Sequence, residues 1–462
     1  MAERQETQVD TQDKILVIGM GKTGLSCVRF LLARGLPVMA WDNRDEPPAL
    51  AEVRELLPAD AVVIGDFSGA AFSRCKQLVV SPGVSLQEAA LQAAAADGVE
   101  IVGDIELFAR HVDAPVIAIT GSNGKSTVTA LVAALLIKAG CDVRIGGNFG
   151  TPALALLGDT APDVYVLELS SFQLETTMTL NAAASVVLNV SPDHMDRYAD
   201  VSAYARAKQR VWNGDGIVVV NRDEPAFVSA DLDPRRRQIG FTLDEPAAAS
   251  EYGIRRRDGR EWLARGSDYL VPVAALKLAG RHNVANALAA LALADVLLEK
   301  LQDRRPGVSR PAMLAALGEF SGLPHRMSWV AAADQVDWYD DSKATNVGAT
   351  LAALQGLERP VVLIAGGLGK GGDFAPLRPV LATKGRAVIL IGRDAALIES
   401  ALAGAVPCLH ATDMNQAVTL ARQQARPGDI VLLSPACASF DMFDGYDHRG
   451  RVFAETVRRT LA

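Results

Sequence analysis

The chain has 462 residues, a length that suits about three domains, and 49% of them are hydrophobic, enough for large cores. A net charge of −8 argues against a nucleic-acid partner. Five scattered cysteines (Cys27, Cys75, Cys141, Cys408, Cys437) argue against a disulfide framework or a zinc site, and no apolar run is long enough to span a membrane.

The polar, mixed-charge residues before Lys14 precede no apolar core, so no signal peptide is expected and the protein reads as soluble and cytoplasmic. Lys14-Ile-Leu-Val-Ile18 predicts a buried strand, followed by Gly19-Met-Gly21-Lys22-Thr23-Gly24 and an apolar-faced helix ended by Gly35. A second strand, Val38 to Trp41, runs into Asp42, eighteen residues past Gly24. That is a GxGxxG turn with a following acid, compatible with NAD or with another nucleotide-like diphosphate. Short strands at Ala61–Ile64 and Gln77–Val80, the latter entering Ser81-Pro82-Gly83, complete a small open α/β sheet. The stretch from Gly103 to Pro115 reads as a polar boundary.

The next segment carries the strongest signal. An apolar run, Val116 to Ile119, breaks into Thr120-Gly121-Ser122-Asn123-Gly124-Lys125-Ser126-Thr127, and a helix pattern follows with Val128, Leu131, Val132, Leu135 and Leu136 on one face. Strand, glycine loop, lysine, hydroxyl and helix form a phosphate-binding arrangement, in which backbone N–H groups and the helix N-terminus attract phosphate oxygens. Lys125 adds a positive charge and Ser126 a hydroxyl for Mg²⁺. The usual spacing wants glycine at position 119, where this chain has Ile119.

Gly146-Gly147-Asn148 follows, and then the strand Asp163–Leu167 with Glu168 at its end. An acid ending so apolar a run must be paired or hold a cation. After the strand Ser185–Val190, the loop Ser191-Pro-Asp193-His194-Met-Asp196-Arg197-Tyr198 puts a histidine where open α/β sheets place their sites. Lys208 lies on the helix Val201–Val211, where most lysines are simply solvated. Gly216–Val220 is another strand, and residues 238–273 read as short, peripheral, antiparallel strands. His282-Asn283-Val-Ala-Asn286 then opens a long alanine and leucine helix, punctuated by Asp303-Arg-Arg-Pro306 and Pro311.

A third unit begins near Leu323-Pro324-His325-Arg326, with strands at Val336–Tyr339, Pro360–Ala365, Ala387–Ile391 and Ile430–Leu433. Three loops would open on one edge of a parallel sheet: Asp340 to Asn346, Gly366 to Gly372, and Ser434 to Phe440. Their lysines, hydroxyls and glycines suit an anionic ligand, although glycine content alone fits a flexible loop as well. No internal repeat or low-complexity segment is present.

Taken together, Thr120–Thr127, Asp193-His-Met-Asp-Arg197, Gly280-Arg-His-Asn283, Leu323-Pro-His-Arg326 and Asp341-Ser-Lys-Ala-Thr-Asn346 resemble the signature set of the Mur ligases, the ATP-dependent amide-forming enzymes of peptidoglycan synthesis. The resemblance runs from Ile15 to about Ala454, and the shortened phosphate loop belongs to it. Leu169-Ser-Ser-Phe-Gln-Leu-Glu-Thr176 and Leu433-Ser-Pro-Ala-Cys-Ala-Ser439 point to the D-glutamate-adding branch, and the Asp-Asn-Pro-Arg run of the diaminopimelate-adding branch is absent. Phe440 stands where that branch suggests Leu, and Tyr446 where it suggests Phe.

The resemblance implies three α/β domains: a Rossmann-like one (1–103), a central P-loop ATPase-like parallel sheet with peripheral antiparallel strands (104–322), and a Rossmann-like C-terminal one (323–462). It implies that Gly21, Lys22, Thr23, Asp42, Asn43, Arg44 and Gly83, with Asn148, hold a UDP-linked substrate, UDP-N-acetylmuramoyl-L-alanine. It assigns ATP to Gly121, Asn123, Gly124, Lys125, Ser126, Thr127, Asn286, Arg326 and Asp341. Ser126 and Glu168 would serve one Mg²⁺, and His194 with a CO₂-derived carbamate on Lys208 a second; Lys125, Glu168, His194 and Lys208 are the catalytic set. Lys343, Thr345, Lys370, Ser439, Phe440 and Tyr446 would meet D-glutamate, and a monomer is expected. Another Mur or folylpolyglutamate-type ligase is the nearest alternative. An NAD-dependent oxidoreductase would explain only Gly19 to Asp42, and a non-catalytic nucleotide-binding regulator would need neither Glu168 nor His194.

Overall fold

The computed structural model describes residues 11–224, 232–278, 280–301 and 305–461. The polar N-terminal stretch up to residue 10, and Asp303 and Arg304 of the run expected to end the long helix, lie outside them. Among the described residues the strands form three sheets.

The first sheet is fully parallel, in the order β3-β2-β1-β4-β5. Its strands are β1 (Ile15–Ile18), β2 (Val38–Asp42), β3 (Val62–Ile64), β4 (Gln77–Val80) and β5 (Glu100–Val102), joined by helices α1 (Lys22–Leu32), α2 (Leu50–Leu56), α3 (Gly69–Phe72) and α4 (Ala89–Ala96). β1 and β2 are buried on both faces, which is why they read as continuous apolar runs.

The stretch read as a polar boundary is instead a buried helix, α5 (Asp104–Ala109). Its acids are buried because they find partners far along the chain. Glu106 accepts from the Met178 and Thr179 N–H groups (2.7 and 2.9 Å), from Thr179 Oγ1 (2.8 Å) and from Arg110 (2.9 Å). Asp104 accepts from Gln173 Nε2 at 2.9 Å.

The central sheet has the order β14-β13-β12-β11-β10-β9-β6-β8-β7. Its strands are β6 (Val116–Thr120), β7 (Val143–Gly147), β8 (Val164–Glu168), β9 (Ala184–Val187), β10 (Ile217–Asn221), β11 (Gln238–Phe241), β12 (Tyr252–Arg257), β13 (Arg260–Arg265) and β14 (Asp268–Pro272). The helices are α6 (Lys125–Lys138), α7 (Ser171–Glu175), α8 (Val201–Gln209), α9 (Arg281–Leu301) and α10 (Arg310–Glu319). The predicted face of α6, Val128 to Leu136, is buried, packed with the apolar residues of α9. The outer strands correct one expectation: β12, β13 and β14 are antiparallel, but β11 runs parallel to β10 and to its short pairing with β12. β7 was not legible, because Arg144 and two glycines interrupt its apolar pattern.

The third sheet has the order β15-β16-β20-β17-β18-β19 and is parallel except for β15. It contains β15 (Ser328–Ala333), β16 (Val336–Asp340), β17 (Val361–Gly366), β18 (Gly385–Ile391), β19 (Cys408–His410) and β20 (Ile430–Leu433), with α11 (Val347–Gly356), α12 (Leu377–Lys384), α13 (Ala395–Leu402), α14 (Met414–Gln424) and α15 (Tyr446–Leu461). β16, β20 and β17 are adjacent and parallel, so the loops after them open on one edge, and Leu368 bridges Ala438 there.

Candidate active site

The phosphate loop leaves β6 at Thr120 and enters α6 at Lys125. Gly121 (φ +153°) and Gly124 (φ +83°) adopt backbone angles that side chains resist. A Cβ on Gly124 would also lie 2.6 Å from Asn286 Oδ1, so α9 presses directly on the loop. Asn189 holds the other side: Asn123 N–H donates to its Oδ1 (2.8 Å), and its Nδ2 donates to the Asn123 carbonyl (3.0 Å). Lys125 donates to the Gly121 and Ser122 carbonyls, both at 2.8 Å, folding its ammonium back over the loop.

Around this loop the structure gathers charge from all along the chain. The register of β6 with β8 pairs Ile119 with Glu168, setting that carboxylate beside the loop. Glu168 Oε1 accepts from Asn148 Nδ2 at 2.7 Å, while Oε2 is buried without a protein partner. Arg326 donates to Ser126 Oγ at 2.9 Å. Lys208, one of the most buried side chains, donates to the Gly121 carbonyl at 2.9 Å and lies 4.2 Å from the Tyr204 ring centre. Burial, with repulsion from Lys125 next, holds the Lys208 ammonium well below its ordinary value, and burial lowers Lys125 as well.

His194 sits at φ +59°, edge-on to Phe172 and Tyr204. Burial lowers its value against the pull of Asp193. Asp193 is the hinge of the contact with the third sheet: it accepts from Lys370 Nζ at 2.8 Å and from Asn346 Nδ2 at 3.1 Å, and Asn346 also donates to Asn123 Oδ1 at 3.2 Å. Asp193, Asn189 and Asn346 were not among the site residues picked from sequence; a polar residue just past a β-strand end was the available signal.

From the third unit, Lys343 stands 3.6 Å from the centre of the Tyr446 ring, and burial, helped by Arg326, pushes its ammonium down to about 8. Burial pushes Asp341 up to about 7, against the hydrogen bond from Ser434 (2.9 Å) and the charge of Arg326. Ser439 is buried and Thr345 half-buried, whereas Phe440 is 73% exposed. A cavity of about 350 Å³ lies between the central and third units, lined by Gly124, Thr127, Asn286, Arg326, Asp341 and Lys343 among others.

The first-unit residues form a separate edge. A Cβ on Gly24 would come within 1.9 Å of the Gly19 carbonyl, so α1 packs tightly on the β1 turn, whereas Gly21 and Gly83 face open space. Asp42 is fully engaged: it accepts from Met20 N–H (2.6 Å), from Arg44 N–H (3.0 Å) and from the Arg44 guanidinium (2.9 and 2.6 Å). These hydrogen bonds outweigh its burial and hold its carboxyl below the ordinary value. A dinucleotide reading would need that carboxylate for a ribose hydroxyl; here both oxygens serve the turn. Asn43 is exposed beside it. Lys22 reaches out of this unit and donates to the Gly150 carbonyl at 2.6 Å.

The residues present suit Mg²⁺ chemically at one position, where a hydroxyl and a carboxylate with a buried free oxygen adjoin the phosphate loop. Lysine as an ammonium does not suit a cation at the Lys208 position.

Three family models match: "Mur ligase MurD-like, N-terminal domain" over residues 13–103, "Mur ligase middle domain" over 119–294, and "Mur ligase, glutamate ligase domain" over 325–437. The UDP-N-acetylmuramoylalanine–D-glutamate ligase of Nitrosococcus oceani is 51% identical over 449 residues, covering 97% of each chain. That of Pseudomonas aeruginosa is 50% identical over 448 residues, covering 96% of this chain and 97% of the relative. Among solved structures, a pseudomurein peptide ligase type C from Methanothermus fervidus superposes with a TM-score of 0.60 at 17% identity, covering 98% of this chain and 100% of its own. With sequence, domain order and fold in agreement over nearly its whole length, the chain belongs to the Mur ligase family.

Proposed function

We propose that this chain joins D-glutamate to UDP-N-acetylmuramoyl-L-alanine, driven by ATP, in the cytoplasmic assembly of peptidoglycan. The observation that carries the reading is the meeting of two sheet edges: the phosphate loop with Glu168 on one, and Lys343, Lys370 and Ser439 on the other. The near-full-length relatives bearing this activity support it.

In this reading residues 1–103 hold the UDP-linked substrate, 104–322 bind ATP, and 323–462 bring D-glutamate. The carboxylate of the alanyl group attacks the γ-phosphorus of ATP, giving an acyl phosphate and ADP. The neutral amine of D-glutamate attacks the acyl carbon, and the tetrahedral adduct gives up its ammonium proton to solvent and expels phosphate to leave the amide. Attacker, γ-phosphate and leaving group are all anionic, so Lys125 and Arg326 offset their repulsion. Mg²⁺ at Ser126 and Glu168 would supply further charge neutralisation. Contacts of Lys370 and Asn346 with Asp193 hold the third unit against the central one, an arrangement that would shield the acyl phosphate from water.

Donors on separate loops set distances between the two carboxylates of the incoming amino acid. D-Aspartate, one methylene shorter, leaves one anchor unpaired, a loss of about 1–3 kcal/mol or more. L-Glutamate with both carboxylates anchored points its amine away. Product assays at equal amino-acid concentration and saturating ATP should rank D-glutamate far above D-aspartate, with L-glutamate unused. Comparable product from L-glutamate would reject the assignment of the third unit.

Lys208 is assigned a carbamate. Burial and the neighbouring Lys125 favour its neutral amine, the form that adds CO₂, and the product replaces a cation by the oxygen donors a second Mg²⁺ beside His194 needs. Labelled bicarbonate should give a carbamate carbon signal in the intact enzyme that Lys208→Arg lacks, and the arginine variant should be inactive. An active arginine variant contradicts the assignment. The protein is expected to sediment as a monomer.

A further inference from the structure

We propose that Lys22 is a positioning residue that couples the diphosphate site of the first unit to Glu168 in the central one. The inference rests on the assignment of the UDP group to the GxGxxG turn. Lys22 is the first residue of α1, immediately after Gly21, whose missing Cβ leaves open space. Its ammonium nevertheless donates across the domain boundary to the Gly150 carbonyl at 2.6 Å. An ammonium has three donors, so two remain for diphosphate oxygens while the third stays on Gly150.

Gly150 belongs to a tight turn between β7 and the segment that follows. Gly147 N–H donates to the Thr151 carbonyl (2.8 Å), and Asn148 N–H donates to the Glu168 carbonyl (2.8 Å). A Cβ on Gly146 would lie 2.2 Å from the Thr151 carbonyl, so the backbone closes tightly at the base of the turn. On the same turn, Asn148 Nδ2 holds Glu168 Oε1 at 2.7 Å and leaves the buried Oε2 for a cation. The path is short: diphosphate, Lys22, Gly150, Asn148, Glu168.

Ala153 and Leu154, just after the turn, pack into the first unit's core, but the turn residue Gly150 itself meets that unit through the Lys22 ammonium. Beside that packing a crevice of about 540 Å³ remains, lined by Lys22, Leu25 and Arg29 from α1 and by Pro152, Leu154 and Leu157 from the segment after the turn. The Lys22 ammonium is the polar link from this edge of α1 to the turn. An anion on the GxGxxG turn orders that link, and with it the Asn148 amide that aims Glu168. Coupling of this kind is reciprocal, so nucleotide and metal should tighten the diphosphate site by the same factor.

UDP alone is the right probe, since it lacks the group that reacts with ATP. Calorimetry should measure binding of a magnesium-loaded non-hydrolysable ATP analogue to the full chain, with and without saturating UDP. In the wild type UDP should tighten the analogue by about fivefold, the low end of common coupling factors. Lys22→Met should bring that factor close to one, and Lys22→Arg, which keeps charge and donors, should retain most of it. Coupling that survives Lys22→Met, an absence of coupling in the wild type, or an arginine variant as uncoupled as methionine would each overturn the proposal. If UDP fails to bind the wild type at all, the assignment of the first unit falls, and the relay with it. Weaker UDP binding in Lys22→Met with full coupling would spare the site and sink only the relay.

Discussion

Gly124 and Asp104 show how far single residues were legible. The glycine announces itself, because a strand–loop–helix junction with Lys125 behind it needs the left-handed backbone seen there. Asp104 does not, because its burial depends on Gln173, sixty-nine residues away. Burial pushes the Asp104 carboxyl up to about 6 from 3.8, and its Oδ1 has no protein partner. The folded protein therefore keeps this proton at a pH where the unfolded chain releases it. That stabilisation is full below about pH 4 and is lost as pH rises through about 6. Asp104→Asn, which carries no charge, should gain stability over wild type by about 1.4 kcal/mol as pH rises from 5 to 8. Urea unfolding at both pH values tests it, and parallel pH slopes for the two proteins would contradict it. The pairing of Asp193 with Lys370 was equally hidden, since 177 residues separate two charges that each look solvated.

At the level of elements, β-strands with continuous apolar runs were read correctly, and their ends marked the loops that matter. β7 and β11 mark where that reading weakens: an edge strand needs no apolar run, and local patterning does not fix strand direction. α11 shows an element whose start does two jobs. Asn346 caps it by accepting from Ala349 N–H at 2.9 Å, while its Nδ2 donates to Asn123 and Asp193 in the central unit. Asn346→Ala should lose both, with a helix-capping cost of about 1 kcal/mol. Asn346→Asp should keep the cap but set a carboxylate against Asp193, so the C-terminal unit swings away at near-normal stability. Small-angle scattering should show a larger radius for the aspartate variant, and a radius equal to wild type would rule out this contact as a closing tie.

Across the whole molecule, the first and central sheets share one buried apolar cluster, from Leu16 and Val102 to Val116 and Tyr165, with Lys22 to Gly150 as a polar tie, while polar ties join the third sheet to the central one: Arg326 to Ser126, and Lys370 with Asn346 to Asp193. The order of the units was readable because each opens with its own strand and loop signature. Their mutual placement was not, because it rests on apolar faces and polar pairs drawn from distant parts of the chain, such as Val102 with Tyr165 and Lys370 with Asp193. At the junction the basic groups outnumber the acids even with the neutral amine of Lys208 left aside: Lys125, Arg326, Lys343 and Lys370 face Glu168, Asp193 and Asp341, with Asp341 itself pushed up to about 7. Such a centre should behave as an ion exchanger, taking phosphate, sulfate or pyrophosphate from a buffer, with each bound anion relieving repulsion among the cations. Resting enzyme in phosphate should then differ chemically from resting enzyme in chloride, and an ATP affinity measured in phosphate should be weaker, as an exchange constant rather than a simple association.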